Sequence, residues 1–432
     1  MQNRRLWIVL FSILTVSAAG LLGGLVLIRA LPGRYAYYLP EPLQELRRPV
    51  HPDTLPAPAM TVTPWQQPSN TPEPSPTPTL TLTPAPTTTE LPTSLPTVTP
   101  LPSPTPTPTA PPRLVLAGLR HERQGWNNCG PTTLAMALSY LGRSETQYDL
   151  VPVLKPDPED KHVGMGDMQA YLRSVGLGSI VRVNGSIERL KALIRADFPV
   201  ILPTWHVRDA RDQLGHYRLV VGYDDTLSEL ILYDSLEGPD LPIGYQEFDE
   251  LWRVYNRTYM LVYTEDQWGA LAQVLGDDLD DAGMYGRALD MARFELENPP
   301  ATCVAYAECS DWITFSHFNI GTSLNALGRY AEAAAAYDQA RQMGLHYRML
   351  WYQFGPYESY YASGRYEDVI VLANATLATT NNLNLEESYY WRGMARLAQG
   401  DAASARADFE AALRFHNGWP PAVAALENLG TN

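Results

Sequence analysis

The feature that most limits how this chain can fold is a run of proline. Twenty of its 37 prolines fall between Pro52 and Pro112, in stretches such as TPEPSPTPTLTLTP and LPSPTPTPTAPP. Proline fixes φ and removes a backbone donor, and a segment of Pro, Thr, Ser and Leu carries too little apolar bulk for a core. It reads as extended, disordered polyproline-like chain, in which some 60 residues at ~3.1 Å each reach on the order of 190 Å. The 432 residues therefore divide into a short tail (1–5), an apolar stretch (6–28), a Pro/Thr-rich linker (29–112) and globular sequence from 113 onward.

Leu6 to Ile28 is a run of 23 residues without a charge, long enough for a transmembrane helix. Ser17-Ala18-Ala19 offers a signal-peptide cleavage site as the rival reading, but the apolar run continues through GLLGGLVLI, further than a signal peptide needs. Arg4 and Arg5 face Arg29 and Arg34 across the span, so the positive-inside count nearly balances. A stalk of this reach favours a single-pass membrane protein with a cytoplasmic tail at 1–5 and its C-terminal domains outside the cytoplasm. The formal charge of −15 argues against a general nucleic-acid binder.

Within QGWNNCGPTTLAMALSYLG (Gln124 to Gly142), Cys129 precedes Gly130, Pro131 and an apolar series at helical spacing: Leu134, Ala135, Leu138 and Leu141. Pro131 near the start and Gly142 past the end fit helix termini. Cys129 is thus expected at a helix N-terminus, where free N–H groups and the dipole favour a thiolate. Gln124, five residues upstream, is placed to direct an amide N–H at an oxyanion. A small, buried, inert cysteine fits the same stretch. The remaining cysteines, Cys303 and Cys309, either close a small disulfide loop or stay reduced; Cys129 stands alone in both cases.

Further on, MQAYLRSVGLG and IERLKALIRAD read as helices, and DLVPVLKPDPEDKHVGMG between them and the cysteine helix reads as loop. PVILPT, HYRLVVGY, ELILYDS and RTYMLVY read as strands, which gives an α+β domain over 113–265 with an antiparallel sheet. If the turn after HYRLVVGY centres near Asp225, opposed residue numbers sum to about 450. His216 and Asp234 then face each other, on the same side of the sheet with Cβ atoms about 4.5–5.5 Å apart. That is the orienting pair a thiol–imidazole nucleophile requires, although a surface His–Asp pair is an equally ordinary object. His121, His162 and His206 are weaker candidates, and a metal site of His162, His206 and a nearby Asp is a minor alternative. No zinc spacing, HExxH, phosphate-binding or dinucleotide motif is present, so no cofactor is expected.

Gln124, Cys129-Gly130-Pro131, His216 opening a VVGY strand and Asp234 in LYDS, in that order, resemble the bacteriocin-processing (double-glycine) peptidase-like family of papain-like cysteine peptidases. The resemblance runs from about Arg113 to Glu265. It implies Cys129 as nucleophile, His216 as general base and then acid, Asp234 as the residue orienting the imidazole, and Gln124 in the oxyanion hole. The chain lacks the transporter to which that domain is fused in bacteriocin exporters, so the leader-peptide substrate does not carry over.

From about Asp266 the sequence becomes alanine-rich and repetitive. GMYGRALDMA, GRYAEAAAAY, GRYEDVIVLA and GDAASARADF begin at Gly283, Gly328, Gly364 and Gly400; the last two intervals are each 36 residues and the first is 45. This resembles a tetratricopeptide-repeat array over 266–432, an all-α solenoid whose concave groove would take a partner protein or peptide. Tyr330, Tyr337, Trp351, Tyr352 and Trp391 are expected to pack between its helices. The whole reads as a membrane-anchored cysteine peptidase acting on a peptide or protein substrate. The alternatives are a non-catalytic papain-fold scaffold and an acyl-transferring enzyme with the same thiol.

Overall fold

The computed structural model describes residues 23–31, 35, 39–46, 53–58, 110–160, 162–209, 212–300, 310–379 and 384–430. Most of the stretch expected to span a membrane, most of the Pro/Thr-rich linker, and both Cys303 and Cys309 lie outside the described residues. Among the described residues no helix is long and apolar enough to cross a membrane.

A single antiparallel sheet of seven strands forms the first lobe: β1 (Arg113–Val115), β2 (Gly178–Arg182), β3 (Val200–Asp209), β4 (Asp212–Asp224), β5 (Glu229–Asp234), β6 (Gly238–Gly244) and β7 (Tyr259–Tyr263). The order is β2-β7-β3-β4-β5-β6, with β1 also paired to β4. Helices α1 (Cys129–Tyr140), α2 (Gln147–Leu154) and α3 (Met165–Ser174) cover one face, and α4 (Ile187–Arg195) and α5 (Tyr245–Arg253) the other. Neighbouring strand residues point to opposite faces. Leu219 and Val221 of β4 therefore join the α1–α3 side while Val220 joins the α4–α5 side. With both faces covered, the strand reads as a continuous apolar run. Each such fully buried side chain contributes about 1.5–3 kcal/mol.

Three expectations are corrected here. The stretch expected as loop after the cysteine helix begins inside α2, because Thr146 N–H and Oγ1 both donate to Asp149 Oδ2 at 2.8 Å. That is one half of a capping box, and Leu150 and Leu154, four apart, bury on one face of the helix. Strand β3 runs past Thr204, since it stays paired with β4 from Val200↔Val220 to Val207↔Gln213. The β4–β5 register also differs. The pairs are Leu219↔Tyr233 and Val220↔Leu232, then Gly222↔Ile231 beyond a bulge. Extending the first two pairs places Arg218, not His216, directly across from Asp234; His216 is the diagonal neighbour on the same face.

The second lobe is helical: α6 (Trp268–Leu275), α7 (Asp281–Glu297), α8 (Ser310–Ala326), α9 (Tyr330–Gln342), α10 (Gly355–Ala362), α11 (Tyr366–Ala378), α12 (Glu386–Ala398), α13 (Ala402–Phe415) and α14 (Pro420–Gly430). Gly328, Gly364 and Gly400 turn the chain within the pairs α8–α9, α10–α11 and α12–α13 at φ of 72°, 72° and 88°. Only glycine adopts that conformation without strain. Gly283 is not such a corner: it lies in the first turn of α7, its N–H bonded to the Asp280 side chain at 2.9 Å. Within each pair one large ring meets one small residue. A Cβ on Gly321 would lie 2.7 Å from the Tyr337 ring, and one on Gly393 2.6 Å from the Phe409 ring. In the middle pair the sizes are exchanged: Tyr357 and Ala373 share the core cluster, and the Tyr357 hydroxyl is 3.1 Å from Thr376 Oγ1 on α11.

The two lobes share one core. Trp205, Val254 and Tyr255 of the first cluster with Phe315, Phe318, Tyr337 and Leu350 of the second. Around it, the Arg253 guanidinium lies 3.6 Å from the Trp312 ring centre and donates to Ser316 Oγ at 2.8 Å and Glu295 Oε2 at 3.1 Å. Within the stretch read as linker, residues 53–58 are seated on the helical lobe. Leu55 is buried in the shared core; its N–H donates to Leu345 O at 2.8 Å, and Tyr347 N–H donates to Asp53 O at 3.2 Å.

Candidate active site

Cys129 is the first residue of α1. Its N-cap, Asn128, has non-helical backbone (φ −99°, ψ 16°) and supplies no capping side chain, so the N–H groups of the first turn are not satisfied from that quarter. The helix is pressed against its surroundings here: a Cβ on Gly130 would come within 2.9 Å of Met168 Cε and 3.2 Å of Val163 Cβ. Thr133 Oγ1 donates to Tyr217 O at 3.2 Å, which ties α1 to β4 one residue from His216. The loop leading into Cys129 is held by Gln147, which is buried. Its Oε1 accepts from Gly125 N–H at 2.7 Å and Asn128 Nδ2 at 2.9 Å, while its Nε2 donates to Glu122 Oε1 and Arg123 O.

His216 is only 2% exposed. Its Nε2 is 2.9 Å from Asp234 Oδ1. A carboxylate only accepts, so Nε2 carries the proton and Nδ1 is the accepting nitrogen of the neutral ring. Nδ1 is buried without a hydrogen-bond partner among the described residues, and the Cys129 thiol is the neighbouring group that, after Asp234, favours the charged ring. Asp234 Oδ1 also accepts from the N–H groups of Leu236 at 2.7 Å and Glu237 at 3.0 Å. Its Oδ2 accepts from Arg218 Nε at 2.7 Å.

These contacts set the charges. Burial raises the Asp234 carboxyl, but the His216 imidazole and Arg218 overcome it and hold the group well below the usual carboxylate range. Burial raises the Cys129 thiol. His216, the Tyr217 backbone N–H and the Lys155 charge lower it by more, so the thiol sits below its ordinary value. Burial lowers His216, and Asp234 and Cys129 raise it by more. Thiol down and imidazole up is the pattern of a thiolate–imidazolium pair.

Of the residues singled out in the sequence, Cys129, His216 and Asp234 are brought together. Gln124 lies beside them: its N–H donates to Ser235 O at 3.0 Å, and Ser235 Oγ donates to its Oε1 at 2.7 Å. These bonds hold the amide's Oε1 end against Ser235. His121 Nε2 is 2.8 Å from the Asp234 backbone O, and the His206 ring centre is 5.5 Å from that of His216. His162 and His206 have separate partners: His206 Nδ1 is 3.2 Å from Arg218 Nη2, whereas His162 meets the rings of Tyr352 and Phe354 edge-on. Among the described residues no three His, Cys, Asp or Glu side chains are grouped to hold a metal.

Sequence reasoning missed Arg218 and Gln147. Arg218 was discoverable, since it follows His216 by two residues on a strand and shares its face. Nothing local distinguishes Gln147 from any other first-turn glutamine. A cavity of about 250 Å³ opens at Cys129 and His216, and Tyr352 and Gln353 of the helical lobe line it.

Residues 118–260 match the family described as Peptidase_C39 like, and residues 386–415 match the tetratricopeptide repeat. Among solved structures, one described as C39-like, from Bacillus anthracis, is 16% identical with a TM-score of 0.30, covering 35% of this chain and 98% of its own. No curated protein matches the sequence.

Proposed function

We propose that the sheet-containing lobe is a cysteine peptidase that hydrolyses amide bonds in a peptide or protein. The observation that carries this is the setting of one ring: His216 gives Nε2 to Asp234 and keeps a buried Nδ1 free of any hydrogen-bond partner among the described residues, with the ring coupled to a thiol at a helix N-terminus. In the first half-reaction Cys129 Sγ attacks the carbonyl carbon, and Gln124 Nε2 donates to the oxygen as it becomes an oxyanion. His216 then passes its Nδ1 proton to the leaving nitrogen as the C–N bond breaks, leaving a thioester. In the second, water attacks the thioester, Nδ1 takes the water's proton, and the acid leaves as Sγ regains its charge. Asp234 keeps the ring in register and stabilises its cationic form.

The test is the pH dependence of Cys129 alkylation by iodoacetamide in the full chain, with and without His216→Ala. The reading expects a midpoint below the free-thiol value of about 8.5, moving upward in the variant. A midpoint at or above 8.5 in the wild type, or no shift in the variant, would sink it.

The same reading places the protein at a membrane. The support is the uncharged run Leu6–Ile28 followed by the Pro/Thr-rich stretch, an arrangement suited to a single-pass anchor holding the lobes outside the cytoplasm. Extraction with carbonate, which strips peripheral proteins, is expected to leave the full chain in the membrane and release a chain lacking residues 1–31. Release of both would refute the anchor.

A further inference from the structure

The cavity beside Cys129 belongs to both lobes. Its floor comes from the sheet lobe, including Val181, Pro203 and Tyr217, and one wall from Tyr352 and Gln353, which lie between α9 and α10. This wall is fastened to the site. Tyr352 packs against Gly215, the residue before His216, where a side chain would collide with Tyr255 and Tyr352. Gln353 Nε2 donates to Val254 O at 3.1 Å.

The lining contains no Asp, Glu, Lys or Arg. Its one histidine besides His216 is His162, whose imidazole burial pushes down to about 4, so it is neutral at pH 7. Besides His216 Nδ1, one polar group of the lining residues is unspent. Tyr255 lines the cavity, and its hydroxyl is buried with no hydrogen-bond partner among the described residues. Burial raises Tyr255 well above the ordinary phenol value, so the hydroxyl keeps its proton and is a donor. An orphaned buried donor is costly, and a ligand carbonyl satisfies it. At about 250 Å³ the cavity is smaller than the roughly 300–1,000 Å³ of small-molecule sites, a size for one or two side chains.

We infer that the helical lobe is part of the substrate cleft. Tyr352, Gln353 and Tyr255 form a subsite for a neutral, predominantly apolar residue on the acyl side of the scissile bond, and the Tyr255 hydroxyl donates to that part of the peptide. The acyl side follows from the order of events. The acyl group stays bound to Sγ through the second half-reaction and gains from being held, whereas the amine must leave first. This inference rests on the peptidase reading above and names its substrate class.

The test labels Cys129 in the full chain with two series of peptidyl chloromethyl ketones, Xaa-Gly and Gly-Xaa, with Xaa as Leu, Phe, Asp or Lys. Each rate is divided by the same protein's rate with iodoacetamide, which carries no side chain. A pocket that separates substrates by one methylene gives about 10–200-fold. In one series Leu or Phe is therefore expected to exceed Asp and Lys by at least about tenfold. Tyr352→Ala should collapse that ratio, and Tyr255→Phe, which keeps the ring, should lower the normalised rate of the preferred probe. Equal normalised rates for all four residues in the wild type overturn the subsite, as does a preference that survives Tyr352→Ala in a folded variant. Failure of iodoacetamide itself to find an activated thiol overturns the peptidase reading, and the subsite with it.

Discussion

Replacing Asp234 by Asn isolates the charge at the centre of the site, because shape is nearly conserved. The Asp234 side chain is 0% exposed. Four donors point at it: His216 Nε2, Arg218 Nε, and the N–H groups of Leu236 and Glu237. An asparagine has one accepting oxygen. If that oxygen keeps His216 and the two backbone donors, its Nδ2 faces Arg218 Nε donor to donor; if it is flipped, Nδ2 faces the backbone N–H groups. Either way Arg218, itself 3% exposed, loses its closest counter-charge, and the remaining one is Glu237 at 3.4 Å with a side chain 41% exposed.

Removing one partner of a buried pair costs about 3–5 kcal/mol. Glu237 offsets part of that, so we expect about 3 kcal/mol, or a fall in Tm of roughly 6–12 °C for a lobe of this size. Sign and pH window follow from the carboxyl being held below its ordinary value. Such a group contributes stability that is fully present above the unfolded value of about 3.9 and is lost as pH falls through the folded value. The stability gap between wild type and Asp234→Asn should be flat from about pH 5 to 8 and close only below about pH 4. Urea unfolding across that range, read by tryptophan fluorescence, measures it. A gap under about 1 kcal/mol at pH 7, comparable to a surface substitution, would refute the ion-pair account, as would a gap that narrows around pH 6.

Two other residues give independent checks. Burial pushes His162 down to about 4, so its neutral form stabilises the fold above the unfolded value of about 6.5, and that contribution is lost as pH falls from 6.5 toward 4. His162→Gln should flatten this limb by on the order of 1–3 kcal/mol in acid unfolding; an unchanged limb would show that solvent reaches the ring. Leu55→Ala removes the anchor of residues 53–58 in the shared core. A buried leucine is worth about 2–5 kcal/mol, enough to detach a six-residue strap without unfolding the lobe. Hydrogen exchange at the Tyr347 amide, bonded to Asp53 O, should quicken while the Arg365 amide, bonded to Tyr360 O inside the array, stays protected. Equal protection of both in the variant would mean that the strap is held by something other than Leu55.

The parts of the site written in local pattern were legible. Cys129 could be placed because Pro131, Gly142 and the apolar spacing between them mark a helix from its two ends. The His216–Asp234 pair could be placed because a hairpin with a short turn leaves few registers. The expected register was off by two residues, yet the contact survived. Residues two apart on a strand share a face, so the error exchanged a direct neighbour for a diagonal one, within reach of an imidazole. An error of one would have put His216 on the other face. Arg218 was marked by its place two residues after His216 on the same strand face, whereas Gln147 stayed hidden because its role depends on the loop that stands opposite it, which no single segment encodes.

The joining of the lobes is the least legible feature of the sequence, yet it leaves a mark there. In the 36-residue frame, Gly321, Tyr357 and Gly393 are equivalent. Helix α8 begins at Ser310 and α12 at Glu386, well before those positions, but α10 begins only at Gly355. The preceding residues form a 3₁₀ turn, Tyr347–Trp351, and then Tyr352-Gln353-Phe354. The cause is the Gly355-Pro356 pair: proline has no N–H to continue a helix from upstream, and the residue before it is biased away from helical backbone. A repeat expected to pack its aromatics inward thus releases Tyr352 outward, where it reaches Gly215 and His162. Gly-Pro inside a helical repeat is a stop signal. The residues just before such a stop are the ones a solenoid can spare for another lobe.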